Sequence, residues 1–349
     1  ADLKQINVGK VISLTPEIGE YYETLSGYAA KRDLETLMQM IHLYVTEPNF
    51  DQQEFNHQIE KIKSTLNNRK GLPKAEYSQE VQGVKYNHHP RKTSLTLEKV
   101  NTITFEKTKQ IYQERFANAG DFTFIFTGDI DLEKLKPLVE TYIASLPTTG
   151  VKQEYKDNHV RYAKGKIIRH IEKELTTDKA SISVLYTAKL PYSAENKILS
   201  AAFRYILRDR YMKSIREEKG GAYSVSVNAT EEAVPTNQIT IEVNFDTAPF
   251  MADEMLAIVQ KEIDDLVKNG PSSSELGNAQ RYFNKLYKTN ISTNSYWLET
   301  LSDYYRYGID NFTNYENTMS GLTPSDIRKF AKTVFGQKNK MEFVLLPKK

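Results

Sequence analysis

Apolar residues recur every three or four positions in several stretches of the chain, which is the spacing of helices with one buried face. The stripes in the first half are Leu34, Leu37, Met38, Ile41 and Val45, then Phe55, Ile59, Ile62 and Leu66, and then Leu132, Leu135, Leu138, Tyr142 and Leu146. Thr104 is a suitable N-cap for a further helix that continues through Ile111 and Tyr112. Residues 71–90, which contain no such stripe, are predicted to be irregular.

Shorter apolar and alternating runs predict strands between the helices. Residues 10–14 form one such run, and residues 122–127 read Phe-Thr-Phe-Ile-Phe-Thr, which is typical of a buried strand. In the second half, Tyr223, Val225 and Val227 alternate with polar residues. This period of two predicts a strand that begins at Tyr223.

The second half of the chain repeats much of the first. The stripe that begins at Leu34 recurs about 222 residues later, and the segment from Thr104 to residues 122–127 recurs about 219 residues later. The recurring positions are Leu256, Val259, Ile263 and Val267 for the stripe, and Thr323, Met341, Phe343 and Leu345 for the capped helix and its strand. Each repeat thus combines helices with strands, which predicts an α+β sandwich of antiparallel sheet covered by helices.

The offset between the repeats places residue 1 opposite about Tyr223. Before that point the second repeat has a predicted strand at residues 181–187 and a helix leading to Arg216, and the first repeat has no counterpart of either. We therefore expect two tandem pseudo-repeated α/β sandwich domains, residues 1–150 and 151–349, the first of them truncated at its N-terminus. The missing pieces would come from a longer chain or from a partner.

Composition narrows the class of protein. Apolar residues make up 39% and charged residues 26% of the chain, which fits a soluble globular protein with an ample core. A net charge of only +2 gives no electrostatic support for a nucleic-acid partner, and no apolar run approaches the length of a membrane span. Without cysteine, the chain has neither disulfides nor thiolate ligands and nucleophiles.

The six histidines do not predict a metal site in this chain. His57 and Glu60 have the spacing of an inverted zinc motif, but Lys61 stands where the second imidazole belongs, and a protonated lysine cannot ligate zinc. Glu217 and Glu218 are sequence neighbours that diverge by about 100° on a helix, so they make a poor acid–base pair. Nothing in the sequence supplies an attacking group.

Gly220-Gly221 marks the junction between a predicted helix and the strand predicted at Tyr223. Glycine permits the left-handed turn that ends a helix, and this turn would bring Arg216 and Tyr223 close together. Helix termination alone explains these residues, because a cation near a helix C-terminus is favourable.

The run at residues 215–223, Ile-Arg-Glu-Glu-Lys-Gly-Gly-Ala-Tyr, resembles the signature of the pitrilysin (insulinase-type) zinc peptidases, in which an arginine and a tyrosine stand seven residues apart. Residues 26–35, 89–91 and 126–131 also look like the family's bacterial members. The resemblance implies the LuxS/MPP-like metallopeptidase fold, and it implies that the chain is the C-terminal half of a clam-shell molecule.

In the family, the arginine and tyrosine of this signature reach the substrate at the scissile bond. The resemblance therefore implies catalytic and substrate-binding roles for Arg216 and Tyr223. The family's zinc motif, His-x-x-Glu-His with a downstream Glu, lies in the N-terminal half and is absent from this sequence. The implied cofactor is Zn²⁺ bound by that half, in the same polypeptide or in a partner subunit. The implied partners are that half and a peptide substrate, and this chain alone would be inactive.

Two alternatives remain open at this point. A non-catalytic scaffold or peptide-binding subunit would keep the same fold without a chemical role for Arg216 and Tyr223. A sugar-binding module is suggested only by abundant aromatic residues, which at helical spacing more commonly belong to the core. The aromatic set is Tyr282, Tyr287, Tyr296, Trp297, Tyr304, Tyr305, Tyr307 and Tyr315.

Overall fold

Strands and helices fill most of residues 8–348, the part of the chain that the computed structural model describes. The strands are β1 (Ile12–Ile18), β2 (Glu23–Ala29), β3 (Lys166–Lys173), β4 (Ala180–Lys189), β5 (Ser226–Glu232), β6 (Gln238–Thr247) and β7 (Asn339–Pro347). The α-helices are α1 (Leu34–Thr46), α2 (Gln52–Arg69), α3 (Pro73–Lys85), α4 (Leu97–Asn101), α5 (Phe105–Phe116), α6 (Leu132–Tyr142), α7 (Ala194–Tyr211), α8 (Ala252–Lys268), α9 (Ser273–Asn290), α10 (Asn294–Tyr307), α11 (Tyr315–Gly321) and α12 (Pro324–Phe335).

The elements divide into two compact units. Unit 1 comprises the chain up to Asn68 together with Leu95–Asn158, and unit 2 comprises Arg69–Ser94 together with the chain from His159 onward. This division differs from the predicted boundary at residue 150, because the segment that contains α3 belongs to unit 2. Among the described residues, no helix combines the length and the apolar content that a membrane crossing requires.

Unit 1 contains the antiparallel hairpin of β1 and β2, and α1 packs on it. Leu37, Met38 and Ile41 of α1 are buried together with Leu14 of β1, which confirms the first predicted helical stripe. The prediction that Thr104 caps a helix is also confirmed, because its hydroxyl accepts a hydrogen bond of 3.2 Å from a backbone N–H in the first turn of α5.

Two predictions about the first half are wrong. Residues 122–127 form no strand in the described part of the chain; Phe124 and Phe126 instead lie half-buried against the core of unit 1. Their alternation correctly marks an apolar face, but a strand also needs a hydrogen-bonded neighbour, which such a pattern does not report. Residues 71–90 are not irregular, because they contain α3, which begins at Pro73 in the favourable first position of a helix.

Unit 2 is a five-stranded sheet with the strand order β3-β7-β4-β6-β5. Its β7–β4, β4–β6 and β6–β5 ladders are antiparallel, as predicted, whereas β3 lies parallel to β7. Helices α7, α8, α9 and α12 cover one face, and their buried residues form the main core with that face of the sheet. The α8 stripe and the Thr323 cap are confirmed, and the fold is α+β as predicted.

The opposite face of this sheet is divided in two. Over β3, β7 and the central part of β4 it is apolar, and Leu185 of β4 lies in this cluster. Val81 of α3 is buried there against Met341, Phe343 and Leu345. Over β6 and β5 the alternate positions carry polar side chains, such as Asn244. The five-stranded sheet thus has a covered apolar part and an open polar part beside its β5 edge.

Candidate functional site

The helix that leads to Arg216 ends in a π-turn. α7 is anchored by buried residues, among them Phe203, Ile206 and Tyr211, whose hydroxyl donates a 2.9 Å hydrogen bond to a backbone carbonyl of α8. The chain continues as a π-helical turn over Met212–Glu217, and Arg216 lies in it. Such turns are uncommon and are found frequently at functional sites.

Two glycines close the turn after Arg216. The N–H of Gly220 donates to the carbonyl of Arg216 at 3.1 Å, and the N–H of Gly221 donates to that of Ile215 at 2.8 Å. Gly220 has a φ of +61°, the left-handed conformation that glycine adopts without a Cβ clash. A Cβ at Gly221 would overlap the sulfur of Met255 in α8. The glycines therefore terminate the helix, as predicted, and allow the turn to pack tightly on α8.

Gly221→Ala should lower the free energy of unfolding by about 1–3 kcal/mol, because the added methyl group meets the fully buried Met255. Gly220→Ala is the comparison, because no atom lies within 4 Å of the position of its Cβ. The alanine there would only have to adopt a left-handed backbone conformation, which costs about 1–2 kcal/mol. Urea unfolding of both variants checks this. A Gly221→Ala variant as stable as the natural chain would contradict the close approach.

Arg216 and Tyr223 lie side by side at the surface. The guanidinium carbon of Arg216 lies 5.3 Å from the centre of the Tyr223 ring, which is within cation–π range. Tyr223 is 87% exposed, so its hydroxyl is accessible. The predicted start of the strand is wrong by three residues, because β5 begins at Ser226 and Tyr223 precedes it. Val225 and Val227 are both buried, as the alternating pattern predicts.

Tyr223 borders a cleft of about 780 Å³ within unit 2. Its lining comes from the turn at residues 220–224 with the start of β5, from the first residues of β4 and those just before them, from the end of β6, and from Tyr77 of α3. Its polar lining residues are Tyr77, Asp178, Lys179, Ser181, Ser183, Tyr223, Ser224, Ser226, Asn244, Asp246 and Thr247. Arg216 and Tyr223 thus stand beside a cavity of mixed polar and apolar lining, of the size that binds small ligands or short chain segments.

Apart from Tyr223, sequence reasoning did not identify the cleft residues as site residues. Ser181 and Ser183 on β4, and Asn244 and Asp246 on β6, alternate with buried apolar residues, and the two strands are neighbours. A hydroxyl and a carboxylate from the two strands meet, because Ser181 Oγ donates to Asp246 Oδ1 at 2.6 Å. The alternation of polar and apolar residues in each strand could have indicated a polar face. The pairing of β4 with β6, which brings the two polar faces together, cannot be predicted from either strand alone.

The residues that the structure describes do not fit a zinc site. In the described part of the chain, no three His, Asp or Glu side chains come close enough together to hold a metal ion. His57 lies exposed on α2, 3.9 Å from Glu54, and Glu60 pairs with Lys63 at 2.9 Å. The Nδ1 of His42 lies 2.9 Å from a backbone carbonyl oxygen. The imidazoles therefore offer no shared coordination sphere.

The aromatic set of the second half lies apart from the cleft. Several members pack on one another: the rings of Tyr287 and Tyr315 stack at 4.5 Å, and those of Tyr296 and Trp297 lie 5.6 Å apart. Burial raises the pKa of Tyr315 to about 12. None of the set lines the cleft. These residues therefore behave as helix-packing aromatics.

Comparison with known proteins identifies relatives in sequence, a similar solved structure and a matching family. The chain is 26% identical over 180 residues to "Probable zinc protease PqqL" of Haemophilus influenzae, covering 51% of this chain and 19% of that protein. It is 22% identical over 299 residues to the protein of the same name in Escherichia coli, covering 80% of this chain and 30% of the relative. The chain thus spans between a fifth and a third of these relatives.

The fold has a counterpart among solved structures. The crystal structure of the periplasmic protease PqqL from Escherichia coli superposes with a TM-score of 0.86 at 19% identity, covering 99% of this chain and 38% of that one. At that identity the likeness concerns the fold alone. The family described as "Peptidase M16 inactive domain" matches residues 102–283, more than half of the chain. The chain therefore belongs to the M16 peptidase family, that of the pitrilysin-type zinc proteases, and matches its inactive domain.

Proposed function

We propose that this chain is the non-zinc half of a zinc-dependent endopeptidase and that Arg216 and Tyr223 act on its substrate. The observation that carries the proposal is the packing of the Arg216 guanidinium on the Tyr223 ring, 5.3 Å from its centre, at the rim of the cleft. The two side chains face solvent from a turn that buried residues hold rigidly. Their polar ends are therefore available to a molecule that binds there.

Both groups are hydrogen-bond donors suited to a carbonyl oxygen that gains negative charge. The guanidinium of Arg216 is permanently charged and has no acceptor, and the hydroxyl of Tyr223 donates while it is neutral. Donors placed in advance around such an oxygen stabilise the transition state more than the ground state. The metal and the attacking water lie outside this chain in this proposal, since its described residues provide no zinc ligands.

Reconstitution tests the proposal. Mixing this chain with a separately produced zinc-bearing half should give hydrolysis of a quenched fluorescent peptide, whereas either part alone should give background. Adding 1,10-phenanthroline should remove the activity. A zinc-bearing half that hydrolyses the peptide equally fast with and without this chain would contradict the proposal.

A scaffold or peptide-binding subunit is the second candidate, and the description of the matched family as an inactive domain favours it. In that case, this chain would bind peptides without changing the rate of hydrolysis. Titration of the chain with peptides and with oligosaccharides distinguishes peptide binding from sugar binding. The reconstitution then separates a binding subunit from a contributor to catalysis.

A further inference from the structure

The end of β6 extends beyond the strand that pairs with it on one side. β5 pairs with β6 from Glu232↔Gln238 to Ser226↔Asn244, where the ladder stops. On its other side, β6 continues to pair with β4 for three more residues, as far as Ala180↔Thr247. The last three residues of β6, Phe245–Thr247, therefore present a backbone edge that β5 does not cover.

The cleft opens at this uncovered edge. Its lining includes residues 222–224 on one side and residues 245–247 on the other. In the register of the β5–β6 ladder, Tyr223 would lie opposite Thr247, but the strand begins only at Ser226. The chain before Ser226 diverges from β6, and a cavity takes the place of the missing ladder.

Thr247 supplies an independent indication of a ligand. It is only 4% exposed and lines the cleft, and its Oγ1 has no hydrogen-bond partner in the described part of the chain. A buried hydroxyl without a partner is unfavourable by about 1–3 kcal/mol. A bound molecule with a polar group at this position would satisfy it.

We infer that the cleft binds an extended peptide segment, which adds a short strand to the edge of β6 at Phe245–Thr247. Strand addition uses main-chain hydrogen bonds for affinity, which suits an exposed sheet edge of this kind. A segment bound there would lie next to Tyr223 and hence near Arg216. The inference rests on the proposed function for the identity of the ligand as the peptide substrate, since it places that substrate beside the two donors.

The test uses this chain and a short fluorescein-labelled peptide of alternating threonine and valine flanked by lysines, because β-branched residues favour the extended conformation. Residue-resolved amide exchange should show slower exchange within Phe245–Thr247 when the peptide binds. The same peptide with every residue N-methylated keeps its side chains but cannot donate backbone hydrogen bonds, so its affinity should be at least about tenfold lower. No saturable binding, unchanged exchange at these residues, or equal affinity of both peptides would overturn the inference.

Thr247→Val distinguishes a ligand-binding role of the Thr247 hydroxyl from a purely structural one. The substitution removes a hydroxyl that has no partner among the described residues, so the stability of the chain should stay the same or rise, while peptide affinity should fall about fivefold. Thr240→Val is the matched control, because Thr240 is also buried on β6 but faces a region where both neighbouring strands are paired. Equal affinity of the Thr247→Val and Thr240→Val variants would contradict the assignment.

The outcomes also separate this inference from the proposed function. Normal hydrolysis by Arg216→Ala with slowed exchange at Phe245–Thr247 would reject the catalytic role and keep the peptide site. Impaired hydrolysis by Arg216→Ala with unchanged exchange at these residues would reject the strand-addition site and keep the catalytic role.

Discussion

Replacing Arg216 by alanine should lower kcat for peptide hydrolysis about a hundred- to a thousandfold in the complete protease. That is the usual effect of removing one donor from a developing oxyanion, and it corresponds to about 3–4 kcal/mol. Arg216 is exposed and its side chain packs on the exposed Tyr223 ring, whereas its backbone hydrogen bond with Gly220 is unaffected by the substitution, so the fold should stay intact. Steady-state kinetics with a fluorogenic peptide checks the rate, and urea unfolding checks stability.

Tyr223→Phe isolates the hydroxyl, because the ring that packs against Arg216 remains. We expect kcat to fall by a similar factor of about a hundred, with little change in KM. Tyr305→Phe is the control, since Tyr305 is also well exposed, at 61%, and lies outside the cleft. Normal kcat in both Arg216→Ala and Tyr223→Phe would leave the scaffold alternative as the better account.

Arg210→Ala should lower the free energy of unfolding by about 3 kcal/mol. The side chain of Arg210 is 13% exposed, and its guanidinium joins three helices, with bonds of 2.6 Å to Glu275 on α9 and 2.7 Å to Asp265 on α8. Glu262 lies 3.5 Å away. Removing the cation leaves three neighbouring carboxylates without their partner, which typically costs about 3–5 kcal/mol when buried. The cost is at the low end here because the Asp265 side chain is 43% exposed, so solvent screens its charge.

The dependence of stability on pH in the acid range gives a second measurement of the same cluster. Burial alone would raise the pKa of Glu275, but Arg210 and the backbone of Ser272 outweigh it and lower that pKa below its ordinary value of 4.5. Hydrogen bonding to Arg210 lowers the pKa of Asp265 below 3.8. Because the unfolded chain binds these protons more readily, the stabilisation is complete above about pH 4.5 and is lost as the pH falls below that value.

Arg208→Ala is the matched control for Arg210→Ala, because Arg208 lies on the same helix and is exposed. The control should have the same free energy of unfolding as the natural chain and the same dependence of that free energy on pH in the acid range. As the pH falls below 4.5, Arg210→Ala should lose less stability than the natural chain. If Arg210→Ala has the stability of the natural chain and the same pH dependence in the acid range, the cluster contributes nothing to stability.

The sequence predicted those parts of the fold in which local chemistry decides the structure. Thr104 and Thr323 were identified as N-caps because their hydroxyls can satisfy free N–H groups, and both do so. The stripe of α8 is apolar on one face only, and that face is buried on the sheet. The junction at Gly220 was predicted from the need for a left-handed residue, which the φ of +61° confirms.

The failures concern features that depend on a distant part of the chain. Residues 122–127 have the alternation of a strand, but no strand pairs with them in the described part of the chain. Tyr223 has the same periodicity as Val225 and Val227, yet it lies outside because the ladder with β6 ends at Ser226. The cleft is likewise invisible in the sequence, because it results from the unequal lengths of β5 and β6.

The proposed role of Arg216 and Tyr223 as transition-state donors can be tested with a phosphinic peptide, a tetrahedral mimic of the hydrolytic intermediate. For the natural protease, Arg216→Ala and Tyr223→Phe, the loss of affinity for this inhibitor should parallel the loss of kcat/KM, while the Kd of the substrate stays nearly constant. Equal losses of substrate and inhibitor affinity, with kcat unchanged, would contradict the account and assign both residues to substrate binding alone.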